Sequence, residues 1–227
     1  MDLKQFPNLS KVVYNDFNPL NYNLFKCVQN PTELLKAINS IDCQKQGVDL
    51  TPEIYKQQFV SFQAEIFNQG FSVEPGDYEV AAKYVYILTQ VFSGSKPETS
   101  SFIDLKGKYK SKYLTFRDKL LKPDWVDHFL KITDVENMDF ADVIQKYDSP
   151  STYIYLDPPY YMGKDIDNKM HSPIYPMKNI PVHHEGFDHE KLRDLLHSYK
   201  GKFIMSYNNC ETIREYYKEF RLEYPKW

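Results

Sequence analysis

Glycine is scarce in this chain of 227 residues: the eight that occur, at positions 47, 70, 76, 94, 107, 163, 186 and 201, never fall within five residues of one another. Every glycine-rich loop used to cradle phosphates, dinucleotides or S-adenosylmethionine is therefore missing. Cysteine is sparse too. Cys27, Cys43 and Cys210 are an odd set with no C-x-x-C spacing, which excludes a disulfide framework and a zinc knuckle and predicts free thiols. No window approaches the roughly 18 apolar residues that span a bilayer, and the N-terminus lacks the apolar core of a signal peptide. A cytoplasmic protein without a membrane partner is expected. The absence of long single-sign or Pro/Gly-rich tracts argues against a disordered tail or a fibre. What is present, 42% hydrophobic residues, suffices for the core of one domain, or of one domain with a smaller lobe.

A formal net charge of −3 rules out a bulk polycation, but the footprint that matters for nucleic acid is local. Between Asp104 and Lys122 seven basic residues stand against two acidic ones, a net of +5, so the remainder carries −8. Lys106, Lys108, Lys110 and Lys112 alternate with period two, which in an extended segment directs all four ammonium groups to one face. That face reads either as a phosphate track, with Arg117 close by, or as a solvated charge run.

Lys11 to Asn15 reads as a short buried strand, followed by Leu20, Leu24, Phe25 and Val28 at helical spacing. Asn30, Pro31 and Glu33 predict a second helix start. Ala81, Tyr84, Val85, Leu88 and Val91 form a further helical stripe ending near Gly94, and residues 95–124 read as irregular or hairpin-like. Three β-rich runs follow, 129–135, 153–157 and 202–207, with the long separations of parallel strands. A helix capped by Asp188 and carrying Leu192, Leu195, Leu196 and Tyr199 is expected between the last two. Thr212 and Glu215 predict a capping box for a final helix with Ile213, Tyr216 and Phe220. The fold class is α/β, with a basic insertion between residues 60 and 130.

The sharpest local signal is Asp157-Pro158-Pro159-Tyr160, placed where an apolar strand ends. In open α/β sheets ligands bind beyond the carboxyl ends of strands. Two prolines remove two backbone donors and leave the Asp157 carboxylate and the Pro158 carbonyl as acceptors beside an aromatic ring. Two acceptors gripping both hydrogens of an exocyclic nucleobase amine draw its lone pair out of conjugation, toward an electrophile. The ring of Tyr160 can stack on the base, which must be flipped out of a duplex at a cost of a few kcal/mol. The plainer alternative is a strand ended by a Pro-Pro turn. His183, His184 and His189, with Glu185 and Asp188, lack H-x-x-x-H spacing and read as a solvated loop, so no metal is expected. Tyr161 and Tyr175 are candidates for the pocket mouth.

The chain resembles the Dam-like DNA adenine-N6 methyltransferases, whose acceptor motif is this D-P-P-Y. Val13-Tyr14-Asn15-Asp16-Phe17-Asn18, with Leu20, Asn21 and Leu24, is similar to the family's segment at the end of its second strand. Asp139-Phe140 resembles its pair beside the cofactor adenine. Phe187-Asp188-His189 with Leu192, and the run from Gly201 to Asn209, resemble its late segments. The resemblance implies a doubly wound, mostly parallel Rossmann-like sheet, S-adenosylmethionine as cofactor and double-stranded DNA as partner. It implies Asp157, Pro158, Pro159 and Tyr160 as catalytic residues. Asp16, Phe17, Asp139, Phe140 and Asp157 would hold the cofactor, with Asp16 on the ribose hydroxyls. Tyr160, Ser206, Tyr207 and Asn208 would contact the base, and Lys106, Lys108, Lys110, Lys112 and Arg117 the DNA.

Two departures qualify that likeness. The family's opening strand and glycine loop are not found, and the family normally continues past the strand near Phe220 to Tyr224 with a closing hairpin, so the expectation is a fold truncated at both ends. Residues 1–58 would form the partial cofactor side, 59–128 the target-recognition insertion and 129–227 the core with the D-P-P-Y motif. Around Phe92-Ser93-Gly94 the family's aromatic-Asn-Gly wording is absent. The expected activity is methyl transfer to adenine N6 of a flipped base in specific DNA sites. The alternatives are an inactive DNA-binding remnant, one part of a split enzyme completed by a complementing fragment, or an RNA or protein amine methyltransferase. A restriction endonuclease is a further expected partner.

Overall fold

The structure, a computed structural model, describes residues 8–41, 52–68, 72–91, 97–98, 101–102, 112–132, 134–161 and 187–225. They fall into two compact units, one extending through Asn137 and the other beginning at Met138. Each mixes helices with one short pair of parallel strands. Among the described residues no helix is long and apolar enough to cross a membrane.

In the first unit, β1 (Val13–Asn15) pairs in parallel with β2 (Asp134–Glu136), Tyr14 opposite Val135. The β-branched Val12 and Val13 favour the extended start, and bonds from Asp134 N to the Val12 carbonyl and from Asp16 N to the Glu136 carbonyl, both 3.2 Å, close the two ends. α1 (Pro19–Val28) begins at Asn18, whose side chain accepts from Leu20 N, with Pro19 at the first helical position. α2 (Pro31–Ile41) starts at the predicted proline and buries Leu34 and Ile38. α3 (Pro52–Ile66), which the sequence reading leaves out, places Tyr55, Phe59, Phe62 and Ile66 on one face at spacings of four, three and four. α4 (Tyr78–Gln90), capped by Asp77, is buried on nearly every side. α1, α2 and α3 pack against it, so a single core joins residues on both sides of position 58.

Two expectations are corrected here. Of the residues 95–124 expected to be irregular or hairpin-like, Lys112–Leu120 form α5, and Pro123 and Asp124 open α6 (Pro123–Leu130). The reason is physical: Lys, Arg and Leu are good helix formers, Tyr113 and Leu120 are buried two turns apart, and Pro123 starts the next helix instead of breaking a loop. The strand expected over 129–135 is accordingly shorter, because Phe129 and Leu130 end α6 and only Asp134–Glu136 pairs.

In the second unit, α7 (Phe140–Lys146) precedes β3 (Tyr153–Leu156), which pairs in parallel with β4 (Lys202–Met205) in the register Leu156 to Met205. α8 (His189–Ser198) lies between them in sequence, capped by Asp188 as expected through a 2.8 Å bond from Lys191 N. Period-two alternation sends Ile154, Leu156, Phe203 and Met205 into a core with Ile144, Leu192, Leu196 and Ile213. Tyr153, Tyr155 and Ile204 point the other way and are exposed. Only glycine fits ahead of β4, since a Cβ on Gly201 would come within 2.8 Å of the Ser149 carbonyl oxygen and the Tyr199 ring, and nearer still to the Thr152 carbonyl. The last helix, α9 (Glu211–Tyr216), begins one residue before Thr212: Cys210 is its N-cap with no side-chain cap bond, so the expected capping box does not form and Phe220 lies beyond the helix.

Candidate active site

In the first unit, β1 delivers Asp16 to the carboxyl end of the strand pair. Its carboxylate is already a hub. Oδ1 accepts from Asn18 N at 2.9 Å, while Oδ2 accepts from the Tyr14 hydroxyl at 2.9 Å and Asn21 Nδ2 at 2.8 Å. Tyr84 donates to Asn21 Oδ1 at 2.9 Å, extending the network into α4. Burial, and next the charge of Asp16, push the Tyr14 phenol far above its ordinary range, so it stays a donor. The backbone is held as well: Asn137 Nδ2 donates to the carbonyls of Asp16, at 2.8 Å, and Phe17, at 2.9 Å. A carboxylate offers about four lone-pair sites, and three are taken. Among the described residues no fourth donor reaches it.

In the second unit the parallel pairing brings Asp157–Tyr160, after β3, to the same edge as Ser206–Asn208, after β4. The alternation of β3 continues into Asp157, which is exposed, and no described residue donates to its carboxylate. Tyr160 is 49% exposed, leaving much of its ring open to a stacking partner. Ser206 N donates to the Leu156 carbonyl at 3.0 Å, and its hydroxyl lies 3.1 Å from the Tyr155 hydroxyl. Asn208 spends both amide atoms on one residue: Oδ1 accepts from Tyr161 N at 2.9 Å and Nδ2 donates to the Tyr161 carbonyl at 3.0 Å. The Tyr207 hydroxyl is hydrogen-bonded to His189 Nδ1.

Asp139 caps α7, accepting from Ala141 N at 2.8 Å, and thereby sets the position of Phe140. The Phe140 ring meets Phe187 at 4.7 Å, Phe187 meets His189 at 5.0 Å, and His189 meets the edge of Tyr161 at 5.2 Å. A continuous aromatic row thus links the Asp139-Phe140 pair to the residue after the D-P-P-Y motif. His189 is consequently no solvated loop residue. It opens α8 within aromatic neighbours, and burial lowers its pKa, with Asp188 opposing the shift.

Only part of the basic segment falls among the described residues. Lys106, Lys108 and Lys110 lie outside them, as do Tyr175, His183, His184 and Glu185. Lys112 opens α5, so a period-two face does not run through it. Arg117 pairs with Asp118 at 3.1 Å. Four residues that the sequence reading gives no such role join these networks: Asn137, Asn21, Tyr155 and His189. Period-two counting back from Asp157 reaches Tyr155, and Asn21 lies only five residues from Asp16; Asn137 and His189 depend on contacts distant in sequence.

No curated protein sequence significantly matches this chain. The family model for D12 class N6 adenine-specific DNA methyltransferases matches residues 1–227. With the D-P-P-Y tetrapeptide following a parallel strand and exposing Asp157 and Tyr160, that match over the whole length identifies the chain as a member of the D12 class N6 adenine-specific DNA methyltransferase family.

Proposed function

We propose that this chain transfers a methyl group from S-adenosylmethionine to N6 of an adenine flipped out of double-stranded DNA. The observation that carries the reading is the Asp157–Tyr160 segment at the carboxyl edge of β3 and β4, with an exposed carboxylate at Asp157 and an exposed ring at Tyr160. The Asp157 carboxylate and the Pro158 carbonyl accept the two N6 hydrogens and turn the nitrogen lone pair toward the incoming methyl group. The carboxylate is also the acceptor for the proton that N6 sheds. Tyr160 stacks on the base, and Pro159 keeps the turn free of a competing donor. Ser206 and Tyr207 line the base side.

S-adenosylmethionine, when bound, supplies the methyl group on a positively charged sulfur. Each unit contributes residues proposed to hold it: in the first, Asp16, assigned to a ribose hydroxyl, with Phe17 beside it; in the second, Asp139 and Phe140, whose ring meets Phe187 at 4.7 Å. The doubly wound Rossmann-like sheet belongs to the same reading and is supported by the parallel sense of both strand pairs. Residues 59–128 are assigned to target recognition, with Lys106, Lys108, Lys110, Lys112 and Arg117 on phosphates.

Incubation with S-adenosylmethionine and plasmid DNA from a host without adenine methylation, followed by nucleoside mass spectrometry, tests the proposal. N6-methyladenine is expected. Tyr160→Phe should retain most of the rate and Tyr160→Ala should lose stacking worth about 1–3 kcal/mol. Equal loss in both variants would assign the role to the hydroxyl.

A further inference from the structure

We infer that Asn208 is a positioning residue for methyl transfer, fixing the acceptor tetrapeptide from behind instead of touching the base. The inference rests on the proposed reaction and deepens it. Two adjacent prolines leave Asp157–Tyr160 short of backbone donors, so the segment cannot be held by a ladder of its own. It is held at its two ends. Ahead of it, the Leu156 carbonyl accepts from Ser206 N at 3.0 Å. Behind it, the Asn208 amide closes on both backbone polar groups of Tyr161, at 2.9 and 3.0 Å.

Both anchors come from the exit of β4, two residues apart, so the tetrapeptide is a short span between fixed points. The residue between them contributes as well: the Tyr207 hydroxyl bonds His189 Nδ1, and the His189 ring meets the edge of Tyr161 at 5.2 Å. A planar amide that gives one bond to and takes one from the same residue substitutes for a strand partner. One N–H and one oxygen lone pair of the amide are thereby committed to Tyr161. Its effect on chemistry then runs through the placement of Asp157 and Tyr160, where an error of about 1 Å can cost about a hundredfold in rate.

The test uses the full chain, S-adenosylmethionine and adenine-unmethylated plasmid DNA. Asn208→Leu keeps the volume and removes both bonds; kcat should fall about 10- to 100-fold while KM for DNA moves less than about threefold. Asn208→Asp keeps an acceptor but sets a carboxylate against the Tyr161 carbonyl, so it should be similarly slow near neutral pH. Protonation restores one donor and one acceptor, and its kcat relative to wild type should climb as pH falls toward about 5. Hydrogen exchange at the Tyr161 amide supplies a readout independent of activity: protected in wild type, unprotected in Asn208→Leu.

An Asn208→Leu variant with wild-type kcat, or an Asp variant whose relative kcat ignores pH, overturns the inference. So does a Tyr161 amide that exchanges freely in wild type. A wild-type chain that forms no N6-methyladenine while Tyr161 stays protected would overturn the methyl-transfer reading and leave the clasp itself supported.

Discussion

Asn23 grips Asp77 as Asn208 grips Tyr161: its Oδ1 accepts from Asp77 N at 3.0 Å and its Nδ2 donates to the Asp77 carbonyl at 2.9 Å. Oδ1 also takes Gly76 N at 2.8 Å, where the backbone turns through a positive φ of 89°. Asn23 is fully buried in α1, so one side chain ties that helix to the turn that launches α4. Asn23→Leu would remove the acceptor of Gly76 N, while Asp77 N keeps the Glu74 carbonyl at 3.2 Å and the Asp77 carbonyl keeps Ala81 N at 3.0 Å, and should cost about 1–3 kcal/mol. The check is a urea midpoint for the unfolding of the first unit. A shift equivalent to less than about 0.5 kcal/mol would show that water replaces the amide without penalty.

Such clasps separate what a sequence displays from what only the fold reveals. Elements governed by local pattern are legible: the Leu20 to Val28 helical stripe, the helix start at Asn30-Pro31, the Asp188 cap, the strand before Asp157. α3 is equally readable in principle, since Thr51-Pro52-Glu53 repeats the signal seen at Asn30-Pro31, and its aromatic face has helical spacing. The capping box at Thr212 fails because the chain turns helical one residue earlier, at Glu211. At the site, the tetrapeptide and its placement after a strand are plain in the sequence. The partnership of Asn208 with Tyr161 is not, because 47 residues separate them and nothing local couples their positions.

His189 gives a pH dependence with a definite sign. Burial lowers its folded pKa below the ordinary value near 6.5, with Asp188 opposing, while Tyr207, Tyr161 and Phe187 enclose the ring. The unfolded chain therefore binds more protons between the two values. This contribution is fully present above about pH 6.5 and is lost as pH falls through the folded pKa. Thermal midpoints of the full chain should decline below about pH 6.5, and His189→Gln should flatten that part of the curve. A midpoint that rises on acidification, abolished by the same variant, would mean that the imidazolium is favoured in the fold.

The basic segment can be tested without knowing the recognition sequence. Removing one lysine–phosphate ion pair should reduce the slope of log affinity against log salt by about 0.9. A variant with Lys106, Lys108 and Lys110 changed to Gln, titrated with a mixed-sequence duplex across a salt series, should show a flatter slope. An unchanged slope would make this a solvated charge run.

Methylation by an Asp157→Ala variant probes the account at its centre, because the carboxylate is assigned to one amine while phosphate contacts supply most of the affinity for DNA. Methyl incorporation into adenine-unmethylated plasmid should fall below detection, and the Kd for duplex measured on the same preparation should stay within about twofold of wild type. Wild-type levels of N6-methyladenine from Asp157→Ala would contradict the account.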